Sequence, residues 1–323
     1  MHCVLESGHI SQFDTLFRFR SKLNFFLKNW LTDGIFTVQK FITMITPYIS
    51  HLTLHAIKAA IKAGKLILDI YNSGYTTTYK EDKSPLTTAD SAAHKSIAED
   101  LFETDFPVLS EEGREIPWEI RHQWHYFWLV DPLDGTKEFI SKNGEFTVNI
   151  ALISADTPVI GVIYVPVTGM LYFGNAESGS YSLDCSLNPV NPQINKLDKL
   201  LEQCNKLPYP GLPHQFTILA SRSHLTPETS SIIDKILKEY PDSKIVNTGS
   251  SLKFCRLAEG NAHFYPRFSP TMEWDTAAGH AIALNAGIQI TAWPGSETLK
   301  YNKESLVNPW FIAQKAGLPD FTG

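Results

Sequence analysis

The sequence predicts an α+β half followed by an α/β half, arranged as two domains. The chain has 323 residues, enough to bury a substantial core and to form two domains. Helical patterns precede a run of strand patterns in the first half, whereas strands and helices alternate in the second. The composition, 43% hydrophobic and 19% charged, is ordinary for a globular protein.

The first half begins with two predicted helices. Apolar residues recur at helical spacing from Ile45 to Tyr71, and Asn72-Ser73-Gly74 ends this helix. A second helix is predicted over 91–101, after Thr87-Thr88-Ala89-Asp90. Strands are predicted at 107–113, which runs out into acids, at the apolar run 126–130, and at 147–153, 159–165 and 170–175.

The stretch 187–213 differs in composition from the sequence on either side, because it carries five prolines and a polar, helix-like segment at 196–206. We interpret it as a linker or a variable insertion between a domain at 44–186 and a domain at 214–323. In the second domain, strands are predicted at 217–220, 244–247 and 262–265, helices at 227–240, 251–259 and 275–285, and a closing strand at 288–293.

Residues 1–43 form an N-terminal extension of uncertain role. The segment 13–31 is rich in Phe, Leu, Arg and Lys, and its apolar stretches are too short and too interrupted by charge to span a bilayer. It lacks the pattern of a secretory signal. Three interpretations stay open: an extension without function, with Met44 as the start; an amphipathic segment that touches a membrane surface; or a helix that packs on the domain.

The net charge of −6 argues against a polymeric nucleic acid as partner. The four cysteines, at positions 3, 185, 204 and 255, fit neither a zinc pattern nor a disulfide framework. A reducing, cytoplasmic location is the simplest expectation.

The most informative motif is DPLDGT at 131–136, which follows an apolar strand pattern. Asp131 and Asp134 can converge on a hard cation, and Gly135 permits close approach of the backbone. Thr136 is predicted to begin a helix, whose free N–H groups suit a phosphate. Alone, the motif could also be an Asp-rich turn.

Three more acids lie at the ends of predicted elements: Asp90, Glu111 and Asp275. Each has an ordinary explanation, since Asp90 and Asp275 precede helices and could be N-caps, and Glu111 could lie in a solvated turn. Together with the 131–136 motif, however, they supply the oxygen ligands that Mg²⁺ prefers, and two such ions can activate water and stabilise a leaving oxygen. The set therefore favours a metal-dependent phosphatase.

Three stretches carry a family resemblance: LSEE at 109–112, WLVDPLDGT at 128–136 and WDTAAG at 274–279. In order and separation they resemble the signatures of the inositol monophosphatase-like superfamily, which comprises lithium-sensitive, Mg²⁺-dependent phosphatases. The resemblance extends from about Ile45 to Ile312. It implies a two-domain layered αβαβα sugar-phosphatase fold.

The resemblance also implies roles for the acids. Two or three Mg²⁺ ions would be bound by Glu111, Asp131, the Leu133 carbonyl, Asp134 and Asp275. Asp90 and Thr136 would orient and deprotonate the attacking water, and Thr136 is a weak base that needs Asp90 or a metal hydroxide. The backbone N–H groups of Gly135 and Thr136 would meet the scissile phosphate.

Other stretches resemble one branch of the superfamily, the bacterial 3'(2'),5'-bisphosphate nucleotidases. These are the segments 136–140, 143–153, 249–255 and 265–268. The resemblance implies hydrolysis of adenosine 3',5'-bisphosphate to AMP and phosphate, and of 3'-phosphoadenylyl sulfate, as a step of sulfate assimilation and nucleotide recycling.

A second phosphate needs its own ligands. Lys253 and Arg267 are the candidate cations, since Arg suits bidentate phosphate contacts and Lys is a compact charge. Ser250 and Ser251 can donate hydroxyl hydrogen bonds, and His224 is a weaker candidate that could also be a surface loop residue. By resemblance, the substrate would further contact Glu111, Leu133, Asp134, Gly135, Thr136 and Asp275.

Two alternatives compete with the bisphosphate nucleotidase. One is an inositol or sugar monophosphate phosphatase of the same superfamily. The other is a non-catalytic regulator that binds a phosphate ligand, which is disfavoured because every metal acid is present. The resemblance also allows peripheral contact with the cytoplasmic face of the inner membrane, and the oligomeric state stays open.

Overall fold

A computed structural model describes residues 38–80, 85–211, 215–221, 226–319 and 321. This part of the chain contains eight helices. They are α1 (Val38–Ser73), α2 (Thr88–Phe102), α3 (Trp118–Arg121), α4 (Thr136–Ile140), α5 (Leu197–Leu201), α6 (Pro227–Glu239), α7 (Leu252–Ala258) and α8 (Glu273–Leu284). None of the helices in the described ranges is both long and apolar enough to cross a membrane.

The strands form a hairpin and two larger sheets. The hairpin pairs β1 (Thr77–Tyr79) with β2 (Pro85–Thr87). The seven-stranded sheet has the order β3-β4-β5-β6-β7-β8-β9, with β3 (Val108–Ser110), β4 (Tyr126–Asp134), β5 (Thr147–Ser154), β6 (Thr157–Val165), β7 (Met170–Asn175), β8 (Gly179–Asp184) and β9 (Asn205–Lys206). The five-stranded sheet has the order β11-β10-β12-β14-β13, with β10 (Thr217–Ala220), β11 (Lys244–Asn247), β12 (Phe264–Arg267), β13 (Ile288–Ala292) and β14 (Phe311–Lys315).

Alternation along β4 shows how the layers stack. Trp128 and Val130 point to one face of the large sheet, where they join the core formed with α1 and α2. Phe127 and Leu129 point to the other face, towards α7, α8 and the second sheet. Ile236 of α6 lies in a third core on the far side of the second sheet. The order helix, sheet, helix, sheet, helix confirms the predicted αβαβα layering.

Helix α8 is packed tightly between the two sheets. A Cβ atom on Gly161 of β6 would lie 2.2 Å from the carbonyl oxygen of Ala278. A Cβ atom on Gly279, on α8 itself, would lie 2.4 Å from the ring of Phe254. These close approaches fix the position of α8, whose first turn carries Asp275.

The main differences from the predicted elements are strands that the sequence pattern did not predict: β1, β2, β8, β9 and β14. The prediction that 288–293 closes the chain as its last strand is wrong, since β14 follows and inserts between β12 and β13. The polar segment 196–206 forms only the short helix α5, after which β9 pairs with β8. The domain boundaries stay predictions, and the interpretations of residues 1–37 fall outside the described residues.

Candidate active site

The 131–136 motif lies where β4 leaves the large sheet. Pro132 has no N–H to donate to a neighbouring strand, and the pairing of β4 with β5 shifts register between Asp131 and Asp134. The backbone N–H of Leu133 turns back to Asp131 Oδ1 at 3.0 Å. Gly135 then adopts φ +89°, a left-handed conformation that suits glycine, and α4 begins at the next residue. The irregular strand end thus gathers two carboxylates and a carbonyl.

Asp90 and Asp275 are helix caps as well as site acids. Asp90 closes a capping box at the start of α2, accepting the backbone N–H of Thr87 at 2.7 Å. Asp275 accepts the backbone N–H of Met272 at 2.9 Å at the start of α8. Each of these two backbone bonds ends on Oδ2, so the other oxygen of each carboxylate can serve the site. The two sequence interpretations of these residues are therefore compatible.

The acids from both halves of the chain repel one another electrostatically. Burial raises the pKa of Asp131 well above its ordinary value, and the nearby charges of Glu111, Asp134 and Asp275 raise it further. Burial, followed by the charge of Asp134, raises the pKa of Asp275 to about 8. A divalent cation would remove this repulsion, and an all-oxygen donor set suits Mg²⁺. The donor chemistry therefore fits the predicted metal.

Glu111 follows β3 directly and is paired with a lysine that the sequence did not single out. Lys80 Nζ lies 2.8 Å from Glu111 Oε1 and 2.6 Å from Glu112 Oε1. Burial lowers the pKa of Lys80, but both carboxylates outweigh it, so the pKa lies above its usual range. Within the described ranges, no three His, Cys, Asp or Glu side chains close around one point. The Lys80 ammonium group therefore supplies the positive charge that faces the Glu111 carboxylate.

Asp90 and Thr136 form a hydrogen-bonded pair across the site. The Thr136 hydroxyl lies 3.2 Å from Asp90 Oδ1 and 3.3 Å from the Leu133 carbonyl oxygen, and it can donate to either. Burial raises the pKa of Asp90, opposed by hydrogen bonds from Thr87 and Thr136. The pair can accept a hydrogen bond from a water molecule and hold the proton that this water loses.

A cavity of about 140 Å³ lies between the two halves of the chain. Its lining includes seven of the predicted site residues: Asp134, Gly135, Ser250, Ser251, Lys253, Arg267 and Asp275. It also includes residues that we did not predict: Lys137, Glu138, Ser221, Gly249, Phe254, Tyr265, Thr271 and Thr276. Several of these flank predicted residues, so proximity in sequence was the signal that could have identified them.

The two serines reach Asp134 rather than open space. Ser250 Oγ donates to Asp134 Oδ2 at 2.5 Å, and the backbone N–H of Ser251 donates to the same oxygen at 2.6 Å. Ser250 has φ +52°, an uncommon conformation for a residue with a side chain. Through these hydrogen bonds, Ser250 and Ser251 in the segment before α7 join the second half of the chain to the 131–136 motif of the first half.

Lys253 and Arg267 are placed differently. Lys253 is 5% exposed and donates to the carbonyl oxygens of Thr248 at 3.0 Å and Ser250 at 2.7 Å. Burial and the charge of Arg267 lower the pKa of Lys253 to about 8. Arg267 donates from Nη2 to the Pro270 carbonyl at 3.2 Å, whereas its buried Nε has no hydrogen-bond partner among the described residues. His224 lies outside the described residues.

An αβαβα fold with carboxylates from both halves beside a cation-lined cavity defines a layered sugar-phosphatase type of protein. The model of the inositol monophosphatase family matches residues 49–318. The chain belongs to this family, as the three motifs indicated.

Curated relatives and solved structures support this assignment. The chain is 45% identical over 257 residues to the protein named 3'(2'),5'-bisphosphate nucleotidase CysQ of Salmonella typhimurium, covering 78% of this chain and 95% of the relative. It is 43% identical over 256 residues to the CysQ protein of Escherichia coli K12, with the same coverage. The crystal structure of CysQ from Bacteroides thetaiotaomicron matches with a TM-score of 0.77 and 48% identity, covering 83% of this chain and 98% of that one.

The raised pKa of Asp275 predicts how pH affects the metal-free protein. The folded pKa of about 8 lies above the ordinary 3.8, so the unfolded chain loses this proton first as pH rises. Stability should therefore fall as the pH rises from about 4 to about 8. We expect a fall on the order of 2 kcal/mol, less than the full shift implies, because Asp275 is partly exposed. Thermal unfolding with a chelator measures this fall, and Asp275→Asn should reduce it; a part should remain, because burial also raises the pKa of Asp131. Stability that rises over this range would contradict the charge repulsion.

Proposed function

We propose that this protein is a Mg²⁺-dependent 3'(2'),5'-bisphosphate nucleotidase. It hydrolyses adenosine 3',5'-bisphosphate to AMP and phosphate, and also acts on 3'-phosphoadenylyl sulfate. One observation carries the proposal: a single cavity is lined both by the carboxylates of Asp134 and Asp275 and by the guanidinium group of Arg267. An acidic cation site beside a basic group can hold two phosphates of one nucleotide. The names of the similar CysQ proteins support the same substrate class.

The acids would hold two or three Mg²⁺ ions. The ligands would be Glu111, Asp131, the Leu133 carbonyl, Asp134 and Asp275. When bound, these ions supply Lewis-acid stabilisation of the phosphoryl oxygens and lower the pKa of a water molecule. To serve as a ligand, Glu111 would release its contact with Lys80; the two side chains are 27% and 24% exposed.

Asp90 and Thr136 handle the proton of the attacking water. Because Thr136 donates its hydroxyl hydrogen to Asp90 Oδ1, its oxygen is free to accept a hydrogen bond from water. The proton lost by the water passes to the Thr136 oxygen while the hydroxyl hydrogen moves to Asp90 Oδ1. The backbone N–H groups of Gly135 and Thr136 contact the scissile phosphate.

Arg267 and Lys253 recognise the second phosphate in different ways. Arg267 lines the cavity and keeps guanidinium donors beyond the one that bonds the Pro270 carbonyl, so it can form charge-assisted hydrogen bonds with phosphate oxygens. Lys253 also lines the cavity, but it donates to two backbone carbonyls, so it contributes mainly its positive charge.

The substrate assignment is tested by comparing two phosphomonoesters. Initial rates of phosphate release from adenosine 3',5'-bisphosphate and from inositol 1-phosphate are measured at one Mg²⁺ concentration. We expect a higher kcat/KM for the nucleotide. Equal or better turnover of the inositol ester would remove the nucleotide assignment and leave a phosphatase of the same family.

We expect Arg267→Ala to lower kcat/KM for adenosine 3',5'-bisphosphate by about 10- to 100-fold. The reason is the loss of one or two charge-assisted hydrogen bonds, worth about 1.5–3 kcal/mol. Activity on inositol 1-phosphate should change by less than about 3-fold, since this ester lacks the second phosphate. Arg256→Ala is the matched control, because Arg256 pairs with Glu259 and does not line the cavity. Equal losses on both substrates would count against a role in second-phosphate recognition.

An inositol or sugar monophosphate phosphatase is the second candidate. The commitment of Lys253 to backbone carbonyls favours it, because two of its three N–H donors are already used within the protein. Lithium inhibition, peripheral membrane contact through residues 1–43 and a role in sulfate assimilation stay predictions.

A further inference from the structure

One oxygen of Asp134 receives several hydrogen bonds. Among the described residues, Oδ2 accepts the hydroxyl of Ser250 at 2.5 Å, the backbone N–H of Ser251 at 2.6 Å and the amide of Asn149 at 3.4 Å. All three groups donate hydrogen bonds to the same atom, so the lone pairs of Oδ2 are used within the protein. Oδ1 is the oxygen that remains for a cation.

Two buried polar residues contact the groups that donate to Asp134. Thr147 and Asn149 lie on β5, opposite Asp134 and Asp131 of β4, and their exposed fractions are 0% and 1%. Both side chains are polar in a strand whose other members are mostly apolar, and burying polar groups is costly unless they are hydrogen-bonded. The structure satisfies them with partners from the other half of the chain.

Thr147 is the centre of this network. Its Oγ1 lies 2.8 Å from Ser250 Oγ, 2.8 Å from Ser251 Oγ and 2.9 Å from Asn149 Oδ1. Ser251 Oγ also lies 2.9 Å from Asn149 Oδ1. The four side chains thus form a closed group that joins β5 to the segment before α7.

Each hydroxyl of this network carries one proton. That of Ser250 goes to Asp134 Oδ2, and that of Ser251 goes to Asn149 Oδ1. The single proton of Thr147 is shared among three neighbouring acceptors, Asn149 Oδ1 and the two serine oxygens. The Thr147 hydroxyl thereby contacts both serines and holds their side chains beside Asp134.

We propose that Thr147 and Asn149 are positioning residues for Asp134. Through Ser250 and Ser251 they hold Oδ2 against the protein, so that Oδ1 is presented to the cation in one orientation. The inference rests on the cation binding of the proposed function. It assigns no contact with substrate to either residue, and it goes beyond the predicted site, in which neither was included.

The test measures Mg²⁺ binding directly, by isothermal titration calorimetry and by the Mg²⁺-induced rise in the unfolding temperature. We expect Thr147→Val, which keeps the side-chain shape, to raise the Mg²⁺ dissociation constant about 10-fold, as outer partners of metal ligands commonly do. Thr147→Ser should restore binding to within about 3-fold, and the KM for adenosine 3',5'-bisphosphate at saturating Mg²⁺ should change less than the Mg²⁺ affinity.

Thr53→Val is the matched control. Thr53 is also fully buried and also bonded to an asparagine, accepting from Asn175 at 3.1 Å, but it lies on α1 away from the cavity. It should lose stability without losing Mg²⁺ affinity. A folded Thr147→Val protein with wild-type Mg²⁺ affinity would overturn the inference. If Thr147→Val does not fold, Asn149→Leu is judged by the same criterion. Absence of Mg²⁺ binding by the wild-type protein would overturn the proposed function itself, a distinguishable result.

Discussion

The Asp134→Asn variant should lose about 10³-fold in kcat/KM for adenosine 3',5'-bisphosphate while remaining folded, a loss of about 4 kcal/mol in transition-state stabilisation. An asparagine can turn its carbonyl oxygen towards Ser250 and Ser251, which keeps the contacts between the two halves of the chain. Its amide nitrogen then faces the cation, and an amide N–H cannot bind a metal ion. Steady-state rates and thermal unfolding of the purified variant measure both effects.

Asp156→Asn is the control for Asp134→Asn. Asp156 lies at the surface, 3.4 Å from Lys300, and surface ion pairs contribute little to stability. It should behave as wild type in both assays. A wild-type rate for Asp134→Asn would contradict the role of this carboxylate in metal binding.

The second large effect should come from Thr136→Val, which is expected to lower kcat by about 10²-fold, within the range found for general acid–base groups. Valine has nearly the same shape but cannot relay the proton of water to Asp90. The capping box of Asp90 and Thr87 is untouched, so α2 should keep its stability. Assays at saturating Mg²⁺ separate this loss from weaker metal binding.

Thr136→Ser provides the rescue, because serine returns the hydroxyl to the same backbone position. We expect it to recover most of the lost kcat. If Thr136→Val turns over at the wild-type rate, water activation does not pass through the Thr136 hydroxyl.

The elements near the site were largely predictable from sequence because local signals define them. The strand at 244–247 and the helix that begins at Thr136 are observed as predicted. For Asp90 and Asp275 the sequence left two interpretations, cap or site acid. The structure reconciles them, since a carboxylate has two oxygens and the backbone bond to Thr87 or to Met272 ends on Oδ2 in each case.

Three of the residues that sequence reasoning missed, Lys80, Thr147 and Asn149, depend on contacts between distant parts of the chain. Lys80 is 31 positions from Glu111, its acidic partner, and lies in a segment with no motif. Thr147 and Asn149 sit in a strand pattern that otherwise indicates core, and Thr147 meets Ser250 103 positions later. No local periodicity encodes such pairs. The strand β14 was missed as well. It lies between β12 and β13, and its own five residues do not indicate this pairing.

We propose above all that this site hydrolyses a nucleotide bisphosphate at one of its phosphates, with the acids as metal ligands and Arg267 as a ligand of the second phosphate. Phosphorus NMR of adenosine 3',5'-bisphosphate incubated with the protein tests this claim most directly, with Mg²⁺ in one sample and a chelator in the other. We expect 5'-AMP and inorganic phosphate to appear in the Mg²⁺ sample, and no reaction in the chelator sample. An unchanged spectrum with Mg²⁺, or formation of 3'-AMP in place of 5'-AMP, would contradict the claim.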